Sequence, residues 1–294
     1  MSRLSIKQIV QDALSSRLLA DGGLADRPGG RFRVDATAWG ILALRASGAK
    51  LELLESLRAR LAHEQGDDGR VWLDRDHPDS YWPTTLAVLA WQDSSSCRAA
   101  QTRASRFLLE ANGVHFQRKP DDPWSHNSLL KGWPWVAHTH SWIEPTALSV
   151  MALQATGFGQ HDRVREAILM MLDRQLPHGG WNYGNTLVFG QELHPMPEST
   201  GAALAGLAGQ VPQDKVALSL EYLLGEVGRL RTPLSLGWGL LGLAAWGRVP
   251  SNGAALVERC LANQSRYGAY DTSALSILFM AALGDGLVAN NLPS

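Results

Sequence analysis

One pattern recurs six times along the chain and constrains the fold more than any other feature. A helix-start residue is followed by a run of apolar and small residues. The copies read "DATAWGILALRASG" from Asp35, "WPTTLAVLAW" from Trp82, "EPTALSVMALQATG" from Glu144, "ESTGAALAGLAG" from Glu198, "LSLGWGLLGLAAWG" from Leu234 and "DTSALSILFMAALG" from Asp271. Each opens on an acid, Pro, Ser or Thr, and three close on a glycine (Gly48, Gly157, Gly284), which is how helices are punctuated. Anchored on Thr37, Thr84, Thr146, Thr200, Leu236 and Ser273, the last two intervals are the shortest, at 36 and 37 residues. A shared minimum lengthened by insertions is what one supersecondary unit per repeat produces.

These six segments are apolar or small almost all round, so each is a helix buried on every side. More polar segments lie between them. In "LELLESLRARLAHEQ", Leu54, Leu57 and Leu61 form one stripe while Glu55, Arg58 and Arg60 lie off it. Buried inner helices therefore alternate with half-exposed outer ones, and the N-terminal amphipathic segment completes six helical hairpins. Strand signals are nearly absent. An open solenoid would share the alternation, but it requires only one apolar stripe on each inner helix. The near-complete lack of charge beyond the first turn favours closure. The expected fold is all-α, an (α/α)6 toroid forming one domain over residues 1–294, with insertions at about 113–142 and 182–197.

Formal net charge is -1 and the pI about 6.8, which calls for neither nucleic acid nor an anionic membrane as partner. Tryptophan is over-used, 11 against 6 Phe and 5 Tyr. Its large apolar face suits walls that meet a bulky apolar ligand, although most of the eleven are expected to fill gaps between helices. Cys97 and Cys260 lack CxxC spacing and suggest neither a disulfide framework nor a cysteine zinc site. The N-terminus has no signal-peptide core, and "TPLSLGWGLLGLAAWG" is too short for a membrane span, so a cytoplasmic location is expected.

The outer helices end in a recurrent phrase. "QLPHGGW" sets Gln175, Gly179 and Trp181; "QSRYGAY" sets Gln264, Gly268 and Tyr270 at the same spacing; "QGDDGRVW" sets Gln65, Gly69 and Trp72, one residue late. This resembles the QW repeat of squalene–hopene and oxidosqualene cyclases, also present in degenerate form in protein prenyltransferase β subunits. The resemblance implies a single toroid whose central cavity holds an apolar small molecule, an isoprenoid or lipid. It leaves open a peripheral membrane contact and a partner enzyme. It also implies that Trp39, Trp142, Trp181 and Trp238 shield a cation by ring-face attraction. Trp82, Tyr183, His138 and His140 complete the expected substrate-binding set.

Class II cyclases place their acid two residues before the Thr of an inner-helix start. Here that acid is Glu144, but Trp142 and Pro145 replace the flanking acids of the D-x-D-D pattern. An acid recurs at the same place as Asp35, Glu198 and Asp271, which makes all four candidate catalytic residues. The recurrence equally fits a structural device, since a first-turn carboxylate meets free N–H groups and the positive helix end, worth ~0.3–1 kcal/mol. No cofactor and no metal are expected. Asp271-Thr272-Ser273-Ala274 and Leu234-Ser235-Leu236 lack the prenyltransferase zinc ligands, His138 and His140 alone specify no ion, and Asp67-Asp68 and Asp121-Asp122 read as turns.

The first insertion carries Trp124, Trp133, Trp135 and Trp142 with His115, His126, His138 and His140, and opens onto the Glu144 helix. The second, "NYGNTLVFGQELHPMPEST", enters the Glu198 helix in the same way. Long loops inside a compact domain are usually functional, so both mark one rim as the site. The leading expectation is a squalene cyclase/prenyltransferase-like toroid initiating terpenoid cyclisation with Glu144 or a neighbouring rim acid. A non-catalytic lipid-binding or scaffold toroid is the alternative. Carbohydrate chemistry on an (α/α)6 toroid is a further one, since Trp and carboxylates suit sugars.

Overall fold

Each of the six copies becomes one inner helix: α2 (Val34–Ser47), α4 (Trp82–Ala90), α6 (Ile143–Ala155), α8 (Pro197–Leu207), α10 (Pro233–Ala244) and α13 (Thr272–Leu283). Outer helices precede them: α1 (Arg3–Ser15), α3 (Leu51–Ala62), α5 (Arg98–Glu110), α7 (Asp162–Asp173), α9 (Ala217–Val227) and α11 (Gly253–Ala262), with a short α12 (Gln264–Tyr267) after the last. This computed structural model describes residues 3–74, 76–284 and 286–288. Consecutive inner helices pack side by side, and α13 packs against α2, so the row closes into a ring. Outer helices α3, α5, α9 and α11 each lie against the inner helices on either side, α7 lies mainly against α6, and α1 spans the junction of α13 and α2. The (α/α)6 toroid is the fold.

The helices are buried as their patterns demand. In α6, every residue from Ile143 to Leu153 is buried, whereas α3 buries only Leu54, Leu57, Arg58 and Leu61. The threonine that anchors four of the six copies has a repeated task. Thr37, Thr84 and Thr146 each accept, through Oγ1, the backbone N–H of the residue 13 positions earlier: Leu24, Val71 and Trp133, all at 2.9 Å. Thr200 accepts the N–H of Trp181, 19 positions earlier, at 3.0 Å. The hydroxyl thus pins the crossing from outer to inner helix onto the inner helix's first turn. At the ring junction Thr272 donates through Oγ1 to the Ala25 carbonyl at 2.7 Å, tying the last inner helix to the first repeat.

The Gln-to-Trp phrase is likewise a packing device. Gln175 Nε2 donates to Ser219 Oγ on α9 at 2.7 Å, and Gln65 Nε2 donates to the Ala100 carbonyl on α5 at 2.9 Å. Each glutamine couples its outer helix to the next. Trp181 is fully buried, and its Nε1 donates to the Met171 carbonyl at 2.7 Å. The expectation that Trp181 faces a ligand is therefore corrected: it is wedged between α7 and its neighbours.

Two glycines let α8 and α10 approach backbone to backbone. A Cβ at Gly201 would collide with the Trp238 carbonyl, and one at Gly242 would stand 2.5 Å from the Gly201 carbonyl oxygen. The middle of the ring is filled as well. Trp39 on α2 and Trp238 on α10, which are not neighbours in the ring, meet edge to face with centroids 5.8 Å apart, and only 5% and 4% of them is exposed. Both were expected to line an open hollow; instead they pack against each other.

The two insertions close on one another. A short hairpin, β1 (Leu187–Val188) and β2 (Gln191–Glu192), is the one sheet among the described residues, in keeping with the near absence of strand signals. Val188 pairs with Trp124, the Phe189 N–H donates to the Pro123 carbonyl at 2.7 Å, and Ser125 and Thr186 share a hydroxyl contact of 3.1 Å. Trp133 is fully buried and donates from Nε1 to the Leu108 carbonyl at 2.8 Å. No helix among the described residues is long and apolar enough to cross a membrane.

The backbone contact at Gly201 predicts that Gly201→Ala costs about 3 kcal/mol or prevents folding, because the obstacle is a carbonyl that no rotamer change removes. Gly225 on α9 has open space around it. Gly225→Ala should gain about 0.5–1 kcal/mol of helix propensity. Urea unfolding midpoints of the two variants check the contrast.

Candidate active site

Because the inner helices run parallel, their N-termini converge on one rim, which carries the four acids, yet the four are used differently. Asp271 is the N-cap of α13, its Oδ1 accepting the Ala274 N–H at 2.7 Å. Asp35 pairs with Arg33, Nε to Oδ1 at 2.9 Å and Nη2 to Oδ2 at 3.0 Å. Glu144 and Glu198 sit in the first turns of α6 and α8 without capping them; each accepts from a serine on the next inner helix. Ser199 Oγ donates to Glu144 Oε1 at 2.5 Å, and Ser235 Oγ donates to Glu198 Oε2 at 2.8 Å. A shared capping role for all four is thereby corrected: of the four, only Asp271 is an N-cap whose side chain accepts an N–H further into its own helix.

Glu144 differs from the other three in burial. It is 9% exposed, and its Oε2 is buried without a hydrogen-bond partner. Burial pushes its carboxyl above the usual range; the Ser199 hydroxyl and its own backbone N–H oppose this, and the charge of Glu198 adds to it. The helix terminus favours the carboxylate by ~0.3–1 kcal/mol, while stripping water from an ion costs several kcal/mol. The second effect wins, so Glu144 holds its proton more tightly than an ordinary carboxyl and stands beside a second carboxylate.

Aromatic residues occupy the same rim, and Tyr183 is the one tied to both acids. Tyr183 is 42% exposed; burial and then the charges of Glu198 and Glu144 raise its hydroxyl pKa, which places it beside both. Its carbonyl accepts the Ile143 N–H at 2.9 Å. Trp142, half-buried, lies under the His140 ring with centroids 4.5 Å apart. Trp82 meets Trp135 edge to face at 5.9 Å. His138 stands exposed in a turn with φ 61°, remote in role from this cluster. The aspartate pairs are turns: Asp68 Oδ1 accepts the Arg70 N–H and Asp122 Oδ2 the Lys119 N–H. A recess of about 650 Å³ opens at the opposite end, among the C-termini of the inner helices, with Met151, Gln154, Gln210, Leu241 and Leu287 in its wall. The acids and this recess are on opposite faces.

Sequence reasoning missed Ser199, Ser235 and Arg174. The serines were visible as hydroxyls directly following or facing the acids, as in Glu198-Ser199. Arg174 directly precedes Gln175 at the end of an outer helix. Its Nη1 donates to the Ser141 carbonyl at 3.2 Å and the Gly184 carbonyl at 2.9 Å, so one buried guanidinium holds both insertions beside Glu144.

No protein-family model matches the sequence, and no curated protein matches it. Solved structures do. The GH76A α-1,6-mannanase from Salegentibacter sp. HEL1_6 has 11% identity, with 96% of this chain and 99% of that one covered and a TM-score of 0.65. An inactive variant of it, with two aspartates changed to asparagine and α-1,6-mannotriose bound, gives 12% identity, the same coverage and 0.65. A crystal structure of a protein from Actinoplanes gives 16% identity, coverage of 96% and 98%, and 0.58. At such identities the likeness is one of fold. That fold is the (α/α)6 toroid, and nothing in these matches points to a terpenoid cyclase in particular.

Because burial raises the folded pKa of Glu144 above the ordinary 4.5 of a free glutamate, the protein gives up stability as pH rises from there through the folded pKa. Glu144→Gln removes that loss. The variant should gain on the wild type in melting temperature as pH rises from 4 to 8 and show no gain at the acid end. Ser199→Ala should raise the Glu144 pKa further, as read from its carboxyl carbon by NMR.

Proposed function

We propose that the rim acts on a carbohydrate, with Glu144 as general acid toward a glycosidic oxygen and Glu198 as the second carboxylate. The observation that carries this reading is the buried, unpartnered Oε2 of a carboxyl whose pKa is raised. A raised pKa keeps a proton available near neutral pH, as acetal cleavage needs. Paired carboxylates are the usual equipment of glycoside hydrolysis. The partly exposed faces of Trp142, Tyr183, Trp82 and Trp135 suit stacking on sugar rings. The likeness in fold to a mannanase adds support of a general kind.

The same observations weigh against acid-initiated terpenoid cyclisation. Protonating an unactivated alkene needs a strong acid, and burial has made Glu144 a weaker one. The middle of the ring, where a polyprenyl chain would coil, is occupied by Trp39 and Trp238. A second reading, a non-catalytic toroid holding an apolar small molecule, is favoured by Met151, Leu241 and Leu287 in the wall of the opposite recess. Lipid extraction and native mass spectrometry of the purified protein test it, a bound lipid being the expected result.

Reducing-end release from a panel of α- and β-linked oligosaccharides, α-1,6-mannotriose included, tests the carbohydrate reading. The wild type should cleave at least one. Glu144→Gln should lower kcat by about 10²–10⁴-fold with an unchanged circular-dichroism spectrum. No cleavage across the panel, or full activity in Glu144→Gln, sinks the reading.

A further inference from the structure

We infer that the joint between the two insertions, formed by Arg174, His126, Trp124 and His140, is a binding site for an anionic group, a sulfate, phosphate or carboxylate carried by the ligand. The sugar part of this inference rests on the reading above; the anion site does not.

Arg174 is 3% exposed, and among the described residues no carboxylate forms an ion pair with it. Its Nη1 is satisfied by two backbone carbonyls, but its Nε is buried with no partner. The charge of the adjacent Asp173 acts on Arg174 without forming an ion pair with it; a buried cation lacking an ion-pair partner is expensive, and an incoming anion would lower that cost. Contrast Arg58, equally buried, which pairs with Glu55 at 2.7 Å.

Further orphaned groups belong to the same joint, and the charge of Arg174 acts on His126 and His140. His126 is 8% exposed with Nδ1 buried and unpartnered, and Trp124 Nε1 is buried and unpartnered. The two rings stack, with centroids 6.4 Å apart. In the tautomer protonated at Nδ1, all three are donors, and donors are what an anion requires. The groups acting on His126 are Arg174, His140 and Arg118, all of one sign; with burial they push its pKa down to about 3. Burial and Arg174 lower that of His140 as well. The nearest carboxylate in sequence contact, Asp173, is occupied by the Asn127 N–H at 2.9 Å. A locally positive, donor-rich joint in a chain of net charge -1 is a selective feature. It stands beside the Glu144 rim because Arg174 grips Ser141 and Gly184, the neighbours of Trp142 and Tyr183.

Inorganic sulfate is the probe. Titrated into labelled protein against a chloride control of equal ionic strength, it should shift the His126 and His140 ring signals to saturation. An anion beside His126 favours its imidazolium, so the His126 pKa should rise from about 3 and binding should tighten as pH falls. His126→Phe keeps the stacked ring and should weaken sulfate about tenfold; Trp124→Phe is the second variant, with the same expectation. Sulfate that shifts nothing beyond chloride, or that binds both variants as it binds the wild type, overturns the site.

A second arm compares sulfated, uronate and neutral oligosaccharides on the Glu144→Gln variant, where turnover does not interfere. Anionic sugars should bind at least tenfold tighter, the better of the two naming the source; equal binding overturns the glycan assignment. Sulfate binding without hydrolysis of any glycan would sink the carbohydrate reading and leave the anion site standing. Hydrolysis of neutral glycans without sulfate binding would do the reverse.

Discussion

Everything in this molecule depends on inner helices that can touch at the level of their backbones. Six helices close into a ring only when the spacing between neighbours is small and even, and bulky residues on the flanks would force the row open. Gly201 and Gly242 remove the side chains where α8 meets α10. Gly206 performs a milder version against Ala147 on α6, where an added Cβ would stand 3.1 Å away. The thin flanks leave bulk for other directions, and two of the three inner-helix tryptophans, Trp39 and Trp238, meet where the ring needs filling. Closure in turn sets all inner N-termini on one rim and so decides where carboxylates gather.

Much of this was legible in the sequence because it repeats. Six apolar copies announced six buried helices, and the absence of charge on them announced a ring. The recurring threonine was legible as a marker but not as a latch. Its bond to a backbone N–H 13 residues upstream depends on how the chain crosses between helices. The acids show the limit most plainly. In sequence Asp35, Glu144, Glu198 and Asp271 are one position repeated; in space one caps, one pairs with arginine and two lean on serines. The difference comes from neighbours on other helices, and from the depth at which the insertions bury each side chain. Neither is encoded at the repeated position itself.

The rim is therefore shaped less by its acids than by what covers them. The helix ends favour carboxylate charge at all six places, by an amount that is small and nearly the same at each. Desolvation is larger and applied unevenly, and it singles out Glu144. The insertions that supply the cover are bound to each other through Trp124 and Val188 and to the ring through Arg174. The acid with an altered proton affinity and the buried cation without an ion-pair partner thus have the same cause, two loops that exclude water from one side of the toroid.

The edge-to-face contact of Trp39 and Trp238 carries a consequence for traffic. A toroid suggests a tube, but with its middle stopped by two indoles this one is a bowl with a separate hollow under its foot. Whatever enters at the acid rim has to leave by the mouth it came in through. A long polymer can therefore lie across the bowl but cannot be threaded through it, and the hollow beneath is free to change without disturbing the face above.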